Sequence, residues 1–147
     1  MATTTRTALL LLGRVMFGGY FAYNGVNHFV NAGMMSGYAA SEGVPLPMLA
    51  VLGTGGLMLA GGLSVLFGIR PRLGAAAIVL FLAGVTPVMH DFWSVADAEA
   101  RATQMVHFTK NLALIGGALF AAAVRQPWPV SIERRQARHH HAAGAAA

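Results

Sequence analysis

Long apolar runs alternate with short polar connections along the chain, and the polar side chains gather at particular ends of those runs. Four runs, Thr7–Val26, Pro47–Ile69, Leu73–Met89 and His107–Val124, are long enough to cross a bilayer. A hydrocarbon core of about 30 Å takes roughly 20 predominantly apolar residues in a helix. The pattern predicts an all-α fold, a four-transmembrane-helix bundle running up-down-up-down. A short tail (1–6) precedes a membrane domain (7–125), and a basic, disordered C-terminal tail (126–147) follows it. The Gly33–Gly43 stretch is expected to break any helix with Gly and Ser. Pro45 and Pro47 open the second span, since proline suits a first helical turn. Pro71 lets Gly68–Gly74 reverse tightly, and Asp91–Val106 is expected to be a loop.

Polar groups mark one end of three spans. Asn24, Asn27 and His28 close the first, His90 and Asp91 close the third, and His107, Lys110 and Asn111 open the fourth. If the helices alternate, all three groups share one membrane face. Both triplets have i, i+3, i+4 spacing, which puts their members on one helix face. Lys110 is expected one turn inside its span, where an ammonium needs a cavity, an acid or a route to the interface. Asp91 is its expected partner and Glu42 the second choice. One reading makes these groups helix caps and ion pairs that tie the bundle together. The other makes them a ligand-facing pocket in which His90 and Asp91 relay protons beside a bound headgroup.

Secondary candidates surround this set. Trp93 and Phe92 suit an interfacial aromatic belt. Tyr20, Phe21, Tyr23 and Phe108 could wall a pocket. Arg14 lies on the other half of span one, either snorkelling to lipid phosphates or turned inward to a carbonyl-bearing or anionic ligand. Small residues recur every four positions at Gly56, Ala60, Ser64 and Gly68, and at Ala113, Gly117 and Ala121. Such stripes let membrane helices approach closely.

Charge sets orientation. Arg6, Arg70, Arg72, Arg125, Arg134, Arg135 and Arg138 fall on one side of an alternating bundle, while Glu42, Asp91, Asp97 and Glu99 face Arg101 and Lys110 on the other. Lys and Arg in short loops mark the cytoplasm, so both termini are expected there and the polar groups outside. The first run lacks a clear cleavage site and reads as a retained span, not a signal peptide.

Composition agrees with a membrane protein. Of 147 residues, 56% are hydrophobic and 10% charged, against about 25% charged in soluble domains. The basic residues flank apolar runs, so the net charge of +5 argues for orientation and against nucleic acid. There is no cysteine, which excludes disulfides, iron–sulfur ligation and thiol relays within this chain. Nucleotide-loop, nucleophile-elbow and metalloprotease motifs are absent. His28, His90 and His107 lie on three helices, so spacing supports neither a metal nor an axial haem pair, and no metal is assigned. His139–His141 beside Arg134, Arg135 and Arg138 suits anionic headgroups or a tag remnant.

Three stretches taken together, GRVMFGGYFAYNGVNHF, GVPLPMLAVLGTGGLMLAGGLSVLFGIRPRLGA, and HDFW followed by QMVHFTKNLALIGGAL, resemble the DoxX family of small bacterial membrane proteins over roughly residues 8–124. The resemblance implies a four-helix bundle in the bacterial cytoplasmic (inner) membrane. The family is named for a subunit of a thiosulfate:quinone oxidoreductase, and other members are linked to oxidative-stress complexes. It supplies no catalytic residue set, so none is carried over. The resulting expectation is a membrane subunit of a redox complex that binds a quinone or similar amphiphile near the extracytoplasmic face. It carries no cofactor of its own, and its partners are the lipid bilayer and a redox protein or further copies of itself. It would act within a quinone-linked oxidoreductase complex, not as an autonomous catalyst. The alternatives are a non-catalytic scaffold or accessory subunit and a small transporter or ligand carrier.

Overall fold

In a computed structural model, residues 2–133 and 135 are described. Helix α1 spans Ala2–Val30, α2 Ala32–Ser41, α3 Pro47–Phe67, α4 Pro71–Met89 and α5 Ala98–Ala123, with a 3-10 turn at Phe92–Ser94. Three helical segments are long and apolar enough to cross a membrane: Pro47–Phe67, Pro71–Ser94 and Ala98–Ala123. Helix α1 has the length, but Arg14, Tyr20, Tyr23 and Asn24 dilute its hydropathy. The expected tail beyond residue 135, with Arg138 and His139–His141, lies outside the described residues, as does Arg134.

Two stretches expected to be irregular are helical. The Gly33–Gly43 region forms α2. Its backbone bonds carry on from α1, with Asn31 N–H donating to Asn27 O (3.0 Å) and Met35 N–H to Asn31 O (3.0 Å). Ala and Met are good helix formers, and the Ser36 and Ser41 hydroxyls turn back onto Gly33 O and Tyr38 O. Two glycines therefore do not break this helix. The second stretch is the connection before the last span. Asp97 caps α5 by accepting Ala100 N–H at 2.8 Å, an N-cap bond. Helix α5 thus begins nine residues before His107, so His107 and Lys110 sit well inside the helix and not at its start.

Missing side chains hold the bundle together. A Cβ on Gly18 would lie 2.8 Å from Gly62 O, one on Gly25 would lie 2.6 Å from Leu59 N, and one on Gly55 would lie 2.7 Å from His28 Cβ. Helices α1 and α3 therefore run antiparallel with backbones nearly touching. On the α4 side, a Cβ on Gly61 would meet Gly74 O at 2.9 Å. The expected stripe holds at Ser64, which lies against Gly74, and at Gly68, which faces Arg14 and Ser131, but not in its first half. Gly56 faces open space and Ala60 is exposed, whereas Gly55 and Gly62 meet α1. In the last helix Gly117 does make a close approach, to Phe17 at 3.0 Å, while Ala113 is exposed. Phe21, Met58, Val65, Ile78, Phe81, Leu82 and Trp128 form the core. Large apolar side chains such as Phe120, Val30 and Met16 point outward, where hydrocarbon would be their solvent.

Arg14 locks one end of this arrangement. It is 4% exposed and does not snorkel. Its Nε donates to Val65 O and Leu66 O (both 3.2 Å), Nη1 to Pro129 O (3.1 Å) and Val130 O (3.0 Å), and Nη2 to Leu66 O (2.8 Å). The guanidinium also lies 5.6 Å from the Trp128 ring centroid, within cation–π range. The carbonyls expected from a ligand come instead from the C-terminal end of α3 and from residues 129–130. The first part of the expected tail is therefore folded: Trp128 is 1% exposed. Its indole N–H donates to Val124 O, and Ser131 Oγ donates to Trp128 O at 2.7 Å.

Replacing Gly62 by Ala is expected to force α1 and α3 apart, at a cost of about 1–3 kcal/mol, seen as a lower melting temperature in detergent. Gly56→Ala meets nothing and is expected to be neutral or to stabilise by up to about 1 kcal/mol through helix propensity. Equal effects at the two positions would refute the packing described.

Candidate functional site

The end of the bundle opposite Arg14 carries a cleft of about 240 Å³. Helix α1 contributes Tyr20, Phe21, Asn24 and His28. Helix α4 contributes Phe81, Leu82, Val85 and Met89, followed by His90, and α5 contributes Lys110, Asn111 and Leu114. Tyr38 of α2 and Met58 of α3 complete the wall. The structure thus brings together five residues from three distant parts of the sequence: Asn24, His28, His90, Lys110 and Asn111. A larger apolar groove of about 400 Å³ adjoins it between α2, α3 and α4, and shares His28, Tyr38, Phe81, Val85 and Met89 with the cleft.

Local bonds orient these groups. His28 Nδ1 lies 2.9 Å from Asn24 O. A carbonyl only accepts, so Nδ1 carries the proton and a neutral ring keeps Nε2 as an acceptor. Its ring stands edge-on to Phe81, with centroids 6.4 Å apart. The Asn24 side chain donates to Tyr20 O at 2.8 Å. Asn111 is 6% exposed, and its Nδ2 donates to Thr86 Oγ1 at 3.1 Å. Thr86 Oγ1 in turn donates to Leu82 O, so this buried polar pair is satisfied in sequence.

Gln104 links the outer part of the site and was not singled out from the sequence. Its Oε1 accepts from His90 Nδ1 at 2.8 Å, and its side chain also interacts with the Tyr38 phenol. It precedes His107 by three positions and Asn111 by seven. Extending that face one turn toward the N-terminus would have found it, had the helix been taken to begin earlier. Thr86 was likewise missed, because a threonine inside an apolar run carries no signal without its partner.

The remaining candidates lie around the cleft. His107 stacks on His90 with ring centroids 5.1 Å apart, and Lys110 Nζ approaches His107 Nδ1 at 3.4 Å. The expected Lys110–Asp91 ion pair is absent. Asp91 falls beyond α4, where its carboxylate takes the Ser94 hydroxyl, while the early start of α5 puts Lys110 against His107. Nor does Glu42 take Lys110; it ends α2 and acts on Tyr38. Asn27 accepts from Asn31. Tyr23 is 73% exposed and forms no wall. Trp93 stands outside with Phe92 and Phe108 in edge contacts of 5.2–5.7 Å. Among the described residues, no three His, Asp or Glu side chains gather as metal ligands would. The stacked His90 and His107 present faces to each other, not nitrogens to an iron.

Tyr38 reports on the electrostatics of this end. Burial pushes its phenol above the usual tyrosine range, the negative charges of Glu42 and Asp91 add to the rise, and the Gln104 contact partly opposes it. Protonated Tyr38 is therefore favoured by folding. Its contribution to stability is complete below the unfolded tyrosine pKa of about 10 and is lost as pH climbs through the higher folded value. In an ultraviolet titration of the phenolates, the difference between wild type and Tyr38→Phe is expected to have its midpoint above about 10. Glu42→Gln should move it down. A midpoint unaffected by Glu42→Gln would remove that carboxylate from the site.

The comparisons with known proteins follow this architecture. The DoxX family model matches residues 9–91, a stretch that contains Arg14, the α1–α3 glycines, His28, Thr86 and His90. "Inner membrane protein YphA" of Escherichia coli strain K12 is 27% identical over 130 residues, covering 88% of this chain and 91% of that protein. No solved structure matches the chain. Apolar helices, close glycine packing and these matches lead to one conclusion: the chain belongs to the DoxX family of integral membrane proteins.

Proposed function

We propose that this protein is a four-span subunit of the cytoplasmic membrane that binds a quinone or similar amphiphile in the cleft, in association with a redox complex. The observation that carries the proposal is the union of a polar cleft with an apolar groove across the shared wall of His28, Tyr38 and Phe81. A ligand with a polar ring and an apolar tail needs both. Lys110 and the two asparagine amides can donate, and with Nδ1 turned to Asn24 O the His28 ring leaves Nε2 toward a ligand. This mixture serves a quinone carbonyl and a quinol hydroxyl alike. Preorganised donors of this kind stabilise developing negative charge on oxygen. Electrons would come from a partner.

Topology supports the same proposal. Helix α1 lies along α3 from Arg14 at Leu66 to His28 at Gly55, about 21 Å of helix at about 1.5 Å per residue. With α3, α4 and α5 crossing, α1 makes the fourth crossing, and residues 128–130 after α5 return to Arg14 on α1. Arg70, Arg72 and Arg125 flank that end, which by the positive-inside rule supports a cytoplasmic position for it and an external one for the cleft.

A second reading, a non-catalytic scaffold, draws on the internal partners already present: Thr86 for Asn111, Gln104 for His90 and Tyr20 O for Asn24. Native mass spectrometry of protein purified gently from its own membrane separates the two. A retained quinone, or uptake of a short-chain ubiquinone that weakens at least tenfold on His90→Ala or Lys110→Met, is the expected result. Phospholipid alone, with no uptake, would favour the scaffold.

A further inference from the structure

The end of the bundle at Arg14 holds a second recess with a different character. It encloses about 570 Å³ and is lined by Thr7, Arg14, Phe67, Val130, Ile132 and Arg135, together with Pro129 and Ser131. Its floor is a guanidinium that is 4% exposed and bound only to neutral carbonyls among the described residues. Among the described residues no carboxylate lines the recess. Glu133, the nearest acid in the sequence, lies outside the lining, and its buried Oε2 has no hydrogen-bond partner among the described residues.

The charge there is not balanced. The C-terminal end of α3 offers about half a negative charge through its macrodipole. Among the lining groups Arg14 brings a full positive charge and Arg135 another, leaving an excess of roughly one and a half before Glu133, outside the lining, is counted. Nη2 of Arg14 makes one bond and carries two hydrogens, so a donor remains at the wall of the recess. Phe67, Val130 and Ile132 supply apolar sides. A buried cation with a spare donor, a second cation at the rim and apolar walls suits an anionic group with bound oxygens.

We infer that this recess is a phosphate site, occupied by the headgroup of an anionic phospholipid or by free phosphate. The Arg14 fork forms its base and Arg135 its rim. The site is separate from the cleft at the other face and does not depend on quinone binding.

The test uses the full chain in neutral detergent, with phosphatidylglycerol, phosphatidylcholine and inorganic phosphate as probes. Native mass spectrometry is expected to show several-fold preference for phosphatidylglycerol over phosphatidylcholine. Arg135 is exposed, so Arg135→Gln is expected to leave the melting temperature without added lipid unchanged while weakening that preference roughly fivefold, as for an exposed ion pair. Arg125→Gln, exposed but outside the recess, should not weaken it. If inorganic phosphate raises the melting temperature and displaces phosphatidylglycerol, the natural occupant is the free ion; if it does neither, the occupant is the lipid. Equal retention of both lipids with no response to phosphate would overturn the inference. So would equal losses for Arg135→Gln and Arg125→Gln, which would reduce the effect to general surface charge.

Discussion

The close approach of α1 to α3 is the constraint on which the rest of this structure depends. Lipid tails are as apolar as leucine, so burying more leucine gives little drive for helices to associate in a bilayer. Dispersion at short range has to supply it, and Gly18, Gly25, Gly55 and Gly62 remove the Cβ atoms that would prevent contact. Once the two backbones touch, other positions follow. Arg14 comes under the last carbonyls of α3, His28 comes against Gly55, α5 meets α1 through Phe17 at Gly117, and the segment after α5 meets it through Trp128 at Arg14. Further along the same α1–α5 seam, Tyr20, Asn24, Lys110 and Asn111 line the cleft instead of filling it.

The two ends of the bundle treat buried polarity differently. At one end a single strong group, Arg14, gathers carbonyls from two elements that lack helical partners of their own. The final carbonyls of any helix have no intrahelical donor, and a guanidinium with five N–H groups is suited to collect several at once. The other end uses many weak groups on separate elements. His28 and Asn24 bond within α1, Asn111 bonds across to Thr86, and His90 bonds to Gln104. The first arrangement fixes a geometry and folds residues 126–133 against the bundle. The second satisfies buried groups while leaving space among them.

Much of this was legible in the sequence, and the failures have physical causes. Apolar runs identified the helical class, and alternation identified the shared end of Asn24, His28, His90, Lys110 and Asn111. Hydropathy cannot see a helix that continues into polar residues, which is why the first three turns of α5, with Gln104, read as loop. Glycine and serine in 33–43 read as breakers, although the backbone bonds carried on through Asn31 and the alanines outweigh two glycines. The first half of the glycine stripe was misplaced, at Gly56 instead of Gly55, because spacing reveals a period but not a phase. Phase depends on which face meets a neighbour, and Gly53, Gly55 and Gly56 are equivalent until α1 is placed. Arg14 could be recognised as anomalous, but its partners at Val65, Leu66, Pro129 and Val130 lie at least 51 residues away and are backbone atoms, which no residue type announces.

The same packing decides the shape of the cleft. His28 is the wall between the polar cleft and the apolar groove, and its ring is held edge-on to Phe81. Its Cβ occupies the space that a side chain at residue 55 would need. Any larger residue there would displace His28 as well as separate α1 from α3. Gly55 thus serves two roles that sequence spacing alone would treat as one: it closes the helix pair, and it sets the imidazole where a polar headgroup and an apolar tail would divide. Helix packing and the shape of the cleft are therefore coupled through a single missing Cβ, so stability and the binding proposed for this cleft are expected to change together.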